Sequence, residues 1–126
     1  MSFSLSHTTR TKPPALPFEE MKNDILGKQY ELSLVFVGDI KSQRLNQTYR
    51  EKSYIPNVLS FPLDDTTGEI FINPRQAKRE AKKHDMSLVG FIGFLFIHGL
   101  LHLKGHAHGD TMENAEIRYK KKYQLL

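Results

Sequence analysis

Hydrophobic residues recur along the first half of the chain with two spacings, which predict alternating helices and strands. Residues 18–26 carry apolar side chains at helical intervals and are followed by a glycine, so a first helix is expected there. Residues 31–37 form a short run of β-branched and aromatic side chains that is typical of a buried strand. Asp39 is expected to cap a second helix that ends near Arg50.

The next stretch predicts a hairpin. Residues 57–63 are a second strand candidate, and a strand-helix-strand order usually gives two parallel neighbours joined by a right-handed crossover. We therefore expect this strand to lie parallel to residues 31–37. The turn sequence D-D-T-T-G at 64–68 then leads into a returning strand at 69–72.

Three helices are predicted in the remainder of the chain. Asn73, which is followed by a proline, is expected to cap a highly charged helix that continues to about His84. Residues 87–103 form an almost wholly apolar helix that ends near Gly105. The sequence D-T-M-E at 110–113 resembles a capping box and predicts the start of a last helix.

The ends of this pattern bear on domain organisation and location. Residues 1–17 contain three prolines and little periodicity, so we expect an irregular arm before a single domain that spans residues 1–126. The first residues lack a basic stretch followed by an apolar core, which favours a cytoplasmic protein over a secreted one. Residues 86–103 are interrupted by glycines and two histidines, which favours a buried core helix over a membrane span.

Composition narrows the chemistry. The chain has 18 Lys and Arg against 14 Asp and Glu, a formal net charge of +4, which is compatible with a polyanionic partner such as RNA. It has no cysteine, so disulfides, thiolate zinc sites and cysteine nucleophiles are excluded. Any metal must therefore be held by histidine, carboxylate or water.

Four of the six histidines lie within H-G-L-L-H-L-K-G-H-A-H, which begins at His98. His98 and His102 are four residues apart on a predicted helix, so both imidazoles project from one face and can converge on one ion. Gly105 can end the helix in a conformation that favours glycine and turn the chain back. Either His106 or His108 would then be the third ligand, and the spacing does not choose between them. Three histidines leave a coordination position for water, which is the pattern of catalytic rather than structural zinc.

The same segment resembles the H-G-x-L-H-L-x-G-[YH]-D-H signature of the YbeY endoribonucleases, bacterial metalloproteins of ribosomal RNA processing. Two further stretches are similar to this family: L-N-Q-T-Y-R at 45–50 with V-L-S-F-P at 58–62, and G-E-I-F-I at 68–72. The similarity covers roughly residues 30 to 120. Ala107 stands where the family has aspartate, and Pro56-Asn57 stands where it often has Thr-Asp.

The resemblance implies a site. It makes His108 the third metal ligand beside His98 and His102, and leaves His106 at a variable position. It also implies that Arg50 shares a cleft with the metal, although an arginine at a helix end is usually only a solvated cation. A guanidinium there can bind a phosphodiester with two hydrogen bonds and offset the charge that develops on it. The implied catalytic residues are Arg50, His98, His102 and His108.

Fold and function follow as expectations. The fold expected is mixed α/β: a small mixed four-stranded sheet flanked by helices, with a buried apolar helix that carries the metal ligands. The resemblance implies a metal-dependent endoribonuclease that cuts single-stranded RNA, acting in 16S rRNA 3′-end maturation and ribosome quality control. Its cofactor would be one zinc ion, although three imidazoles also accept nickel, copper or iron. Its partners would be ribosomal RNA and the ribosome or its assembly factors.

Two other functions compete with this one. The first is a non-catalytic ribosome-biogenesis factor with a structural metal, for which His106 is the nearby candidate fourth ligand. The second is a metal hydrolase that acts on peptides or other small substrates, but zinc peptidases of the H-E-x-x-H kind carry their general base where this chain has Gly99. Ser60 either shapes the cleft or is a buried strand serine whose hydroxyl is satisfied by the backbone. The basic stretches 75–83 and 118–122 are either RNA-binding surfaces or solvated faces.

Overall fold

The computed structural model describes residues 2–10 and 12–126, and within them the chain forms five α-helices and four β-strands. In chain order the elements are β1 (Phe3–His7), α1 (Phe18–Leu26), β2 (Glu31–Phe36), α2 (Asp39–Arg50), β3 (Val58–Asp64), β4 (Thr67–Ile72), α3 (Pro74–Ala81), α4 (Leu88–Leu103) and α5 (Asp110–Lys122). A short 3-10 turn at Lys82–His84 continues α3. The described strands make one mixed sheet, which confirms the expected mixed α/β fold with four strands.

The sheet has the order β1-β2-β4-β3, in which β1, β2 and β4 run parallel and β3 is antiparallel to β4. The predicted hairpin is present, but the expected parallel pairing of residues 31–37 with 57–63 is wrong because β4 lies between them. β4 suits this inner place because Ile70 and Ile72 are fully buried. β3 carries Pro62, which has no backbone N–H to donate, and it therefore fits the edge of the sheet.

Residues 3–7 form an edge strand, which corrects the irregular arm expected over residues 1–17. β1 pairs with β2 from Phe3 beside Leu32 to His7 beside Phe36. Its side chains are exposed apart from a half-buried Phe3, so backbone hydrogen bonds rather than burial define this strand. Residues 12–17 form no helix or strand, and residues 1 and 11 lie outside the described part of the chain.

The apolar helix α4 forms the centre of the core. It begins at Ser87, whose hydroxyl accepts a hydrogen bond from the Gly90 N–H at 3.0 Å, and it packs against β3, β4, α1, α3 and α5. Ten of its residues are buried, which agrees with the core helix favoured by the sequence. Among the described helices none alone has both the length and the hydropathy to cross a bilayer. A pair formed by residues 74–84 and α4 meets those criteria together, but it is bent by 103°.

The close approach of α4 to the sheet depends on Gly99. A Cβ at this position would lie 3.1 Å from Cδ1 of Ile70, which is fully buried in β4. Contacts this short require a neighbour to move, and packed interiors resist such movement. Gly99 therefore sets how near the histidine-bearing turn of α4 lies to β4.

The residues that cap the helices agree only partly with those predicted from the sequence. Asn73 caps α3 as predicted, because its side-chain oxygen accepts hydrogen bonds from Arg75 N–H at 3.1 Å and Gln76 N–H at 3.2 Å. Asp39 and Asp110 are instead the first residues inside α2 and α5, and the capping positions are glycines without side-chain oxygens. The carboxylate of Asp39 accepts a hydrogen bond from Asn73 Nδ2 at 2.9 Å, so the starts of α2 and α3 are joined.

Candidate metal centre

Two histidines face one point from the last turns of α4. His98 Nε2 lies 3.1 Å from His102 Nε2, and their ring centroids are 4.6 Å apart. Tetrahedral zinc at the usual Zn–N length of about 2.0–2.1 Å holds its nitrogen ligands roughly 3.3 Å apart. The spacing of four residues on a helix therefore gives the pair a separation that suits two ligands of one ion.

The chain then turns back at Gly105, which has a φ of 104°, in the region that favours glycine. This turn brings the exposed His108 beside the pair, with ring centroids 5.3 Å from His98 and 4.8 Å from His102. One ligand atom from each of these three residues lies within 4.8 Å of the others, so the three histidines could hold a metal ion. His106 is not a member of this group, and its Nδ1 is buried without a hydrogen-bond partner in the described chain.

The surroundings of the histidines suit metal ligands. His98 Nδ1 lies 2.7 Å from the carboxylate of Glu116, which is 9% exposed. A hydrogen bond from Nδ1–H to this carboxylate leaves Nε2 unprotonated and directed at the group, as a bound metal requires. Burial lowers the pKa of His102, and the neighbouring charges of His98 and His108 lower it further. The neutral imidazole that a metal binds is therefore the favoured form of His102.

Glu116 is a residue that the sequence did not reveal. It lies on α5, and its partner is 18 residues earlier on another helix. α5 presents several acidic side chains at ordinary helical positions, and no local pattern distinguishes the one that faces His98.

Arg50 ends α2 and lines the same cleft as the three histidines. Its Nη1 donates to Asn46 Oδ1 at 2.8 Å and to the Tyr54 hydroxyl at 2.9 Å. Its side chain is solvent-exposed, but the two hydrogen bonds from Nη1 restrict it to one orientation. The structure thus brings Arg50 to the histidine group.

Asn46 anchors this arrangement. It is fully buried, and its Nδ2 donates to the backbone carbonyl of Tyr54 at 3.0 Å while its Oδ1 holds Arg50. A buried asparagine needs such partners to offset its desolvation. Asn46 belongs to the stretch L-N-Q-T-Y-R, and its place four residues before Arg50 on a predicted helix is the sequence signal for this contact.

The cleft has a volume of about 470 Å³. It is lined by the three histidines, the last residue of α2, the loop between α2 and β3, part of β3 and part of α4. The lining residues are Arg50, Tyr54, Asn57, Val58, Leu59, Ser60, Pro62, His98, Gly99, His102, Leu103 and His108. Ser60 is thus in the lining, as the sequence suggested. No described lining residue is acidic, and none comes from the basic stretches 75–83 and 118–122.

The two departures from the family pattern lie close to this cleft. Asn57 lines it and donates from Nδ2 to the Glu80 carboxylate at 2.8 Å, which fixes the side chain against α3. Ala107 is exposed and immediately precedes His108. At position 107 the chain therefore presents only a methyl group where the family has a carboxylate.

Comparison with known proteins gives a consistent family. A family model described as Endoribonuclease YbeY matches residues 11–126. The chain is 43% identical over 107 residues to an Endoribonuclease YbeY from Mycoplasma mycoides subsp. mycoides SC, a match that covers 76% of this chain and 65% of that one. It is 38% identical over 107 residues to the Endoribonuclease YbeY of Alkaliphilus metalliredigens, covering 76% and 69% of the two chains.

A solved structure extends the comparison to the fold. The solution structure of TM1509 from Thermotoga maritima superposes with a TM-score of 0.69 at 22% identity, covering 96% of this chain and 88% of that one. At that identity the likeness shows the fold alone. The family resemblance drawn from the histidine motif is confirmed by the sequence matches, and the chain spans about 65% of the length of the Mycoplasma relative.

Proposed function

The chain belongs to the endoribonuclease YbeY family, and from this premise we propose that it is a metal-dependent endoribonuclease that cuts single-stranded RNA. The observation that carries the proposal is one cleft that contains three clustered histidines and Arg50 but no acidic residue in its described lining. Such a cleft suits an anionic substrate, because a phosphodiester meets positive and neutral groups rather than carboxylates.

We propose that the ion is zinc and that His98, His102 and His108 hold it. When bound, the ion would act as a Lewis acid toward the scissile phosphate and lower the pKa of a bound water. Three imidazoles accept nickel, copper or iron as well, so the choice of zinc rests on the donor set and its catalytic pattern. Glu116 contributes by keeping the Nε2 of His98 available.

Arg50 is the proposed phosphate-binding and transition-state-stabilising residue. Within the described residues its hydrogen bonds all come from Nη1, so Nη2 and Nε remain for a phosphate. Two donors in a fixed planar arrangement match two phosphate oxygens. Because Asn46 and Tyr54 already hold the guanidinium, less side-chain freedom is lost when RNA binds.

The biological role follows from the family. We propose that the substrate is ribosomal RNA, that the reaction serves 16S rRNA 3′-end maturation and ribosome quality control in the cytoplasm, and that the ribosome or its assembly factors are partners. The net charge of +4 supports binding to a polyanion.

The competing functions have less support. A non-catalytic factor with a structural metal would use a fourth protein ligand, and His106 lies outside the histidine group of the described chain. A peptide hydrolase would need a general base in the cleft, and the residue after His98 is Gly99, which packs against Ile70. Both observations favour an open metal site facing a phosphate.

Cleavage of a single-stranded RNA by the wild type, His102→Ala and Arg50→Ala tests the proposal. We expect each substitution to reduce cleavage at least a hundredfold, since losses of about 10²–10³-fold are usual when one transition-state donor is removed. Arg44→Ala, an exposed arginine elsewhere on α2, is the matched control and should leave cleavage unchanged. Equal cleavage by all four proteins, or activity on peptides in place of RNA, would refute it.

A further inference from the structure

Tyr54 is an exposed aromatic residue in the cleft, and the proposed chemistry uses its hydroxyl but not its ring. Its side chain is 53% exposed, and it lies in the loop between α2 and β3. Building on the proposed function, we propose that the Tyr54 ring is a stacking platform for one unpaired nucleobase of the RNA. It would accept the base of a nucleotide adjacent to the phosphate that Arg50 binds.

The first argument is that Tyr54 is held in place at its side-chain hydroxyl and at its backbone carbonyl. The Tyr54 hydroxyl accepts a hydrogen bond from Arg50 Nη1 at 2.9 Å, and the Tyr54 carbonyl accepts one from buried Asn46 at 3.0 Å. A half-exposed side chain in a loop ordinarily samples several rotamers, and fixing it costs entropy. Here the protein fixes the ring before any ligand arrives, which is what a binding platform requires.

The second argument is position. The guanidinium carbon of Arg50 lies 6.0 Å from the centroid of the Tyr54 ring, so the ring is beside the group that would hold the phosphate. Single-stranded nucleic acids are commonly bound by cationic side chains that contact the phosphates and by aromatic side chains on which the bases stack. One pair of neighbouring residues therefore offers a phosphate contact and a base contact side by side.

The third argument concerns selectivity. A base can stack on a side chain only when it is unstacked from its own neighbours, so a platform here would favour single-stranded over double-stranded RNA without reading the sequence. Tyr49 provides the contrast. It is 68% exposed but is absent from the cleft lining, and its ring instead contacts Phe61 with centroids 5.5 Å apart.

An abasic scan tests this inference. The metal-loaded protein is titrated with single-stranded RNAs that carry phosphorothioate linkages to slow cleavage, each lacking the base at one position, and affinity is measured by fluorescence anisotropy. The wild type should lose about tenfold in affinity when one particular base is missing, since base–aromatic stacking gives losses of that order. Tyr54→Ala should bind the intact RNA about tenfold more weakly and be insensitive to the base missing at that position.

Two further variants separate the ring from its hydroxyl. Tyr54→Phe keeps the ring but loses the hydroxyl that Arg50 holds, so it should bind the intact RNA more weakly than the wild type yet retain the position-dependent loss. Tyr49→Ala should behave as the wild type. The inference is overturned if Tyr54→Ala shows the same abasic profile as the wild type, or if Tyr54→Phe loses the position dependence as completely as Tyr54→Ala. In those cases Arg50→Ala would still abolish cleavage and the proposed function would stand. A wild type that neither binds nor cuts RNA would overturn both.

Discussion

Glu116 gives the sharpest test of the proposed metal site, because it contacts His98, a proposed metal ligand, without lying in the described lining of the cleft. We predict that Glu116→Ala weakens zinc binding by about 10- to 100-fold. The carboxylate is 9% exposed and lies 2.7 Å from His98 Nδ1, which is a charge-assisted hydrogen bond. Such a bond contributes roughly 1.5–3 kcal/mol, and about 1.4 kcal/mol corresponds to tenfold in affinity. Losses of this size are usual when the partner of a ligating histidine is removed.

Zinc affinity is measured by competition with a chromophoric chelator, and the tautomer of His98 is read from ¹⁵N chemical shifts of the metal-free protein. Glu116→Gln can still accept a hydrogen bond through its amide oxygen and should lose less than Glu116→Ala. Glu113→Ala, an exposed carboxylate one turn earlier on α5, is the matched control. Unchanged affinity together with an unchanged His98 tautomer in Glu116→Ala would refute the reasoning.

Three further predictions concern stability. Hydrogen bonding from Arg79 holds the pKa of Asp39 at about 2, below the ordinary 3.8, so its contribution is complete above pH 4 and is lost as the pH falls toward 2. Because Arg79 is half exposed, this contribution is only about 1 kcal/mol. The unfolding free energy, measured by chemical denaturation, should therefore change less between pH 4 and pH 2 in Asp39→Asn than in the wild type. Tyr30→Phe should keep or raise the unfolding free energy by up to about 1 kcal/mol, since the buried hydroxyl has no hydrogen-bond partner among the described residues. Gly90→Ala should lower it by about 1–3 kcal/mol in urea unfolding, because a Cβ there would overlap the backbone of Leu126.

Each of these has a contrary outcome. If the unfolding free energy of Asp39→Asn fell as steeply with decreasing pH as that of the wild type, the Asp39–Arg79 ion pair would not be a cause of the acid sensitivity. A loss of more than about 1 kcal/mol in Tyr30→Phe would mean that the hydroxyl is satisfied, for instance by water. Wild-type stability in Gly90→Ala would show that Leu126 moves aside without cost.

Burial is one reason why the sequence predicted parts of the fold correctly. α4 and β2 were found at nearly their observed bounds because their apolar residues follow from packing. β1 was missed because its side chains are mostly exposed and only its backbone pairing with β2 defines it. The strand order was missed because a hairpin can join a sheet by either strand, and the choice depends on buried Ile70 and Ile72 in β4.

Some residues of the site could also be predicted from the sequence, whereas others could not. His98 and His102 were identifiable from spacing along one helix, whereas the choice between His106 and His108 depends on the turn at Gly105 and needed the family pattern. Glu116 could not be predicted from the sequence, because its contact with His98 joins two helices and no local pattern encodes how they pack.

The most direct measurement of the central claim is metal removal and rescue in an RNA cleavage assay. The purified protein is assayed for its zinc content, treated with a chelator, and tested for cleavage of a single-stranded RNA before and after zinc is restored. The account predicts one ion per chain, loss of cleavage on chelation, recovery on zinc addition, and no recovery in His102→Ala. Cleavage that survives complete removal of the metal and persists in His102→Ala would contradict it.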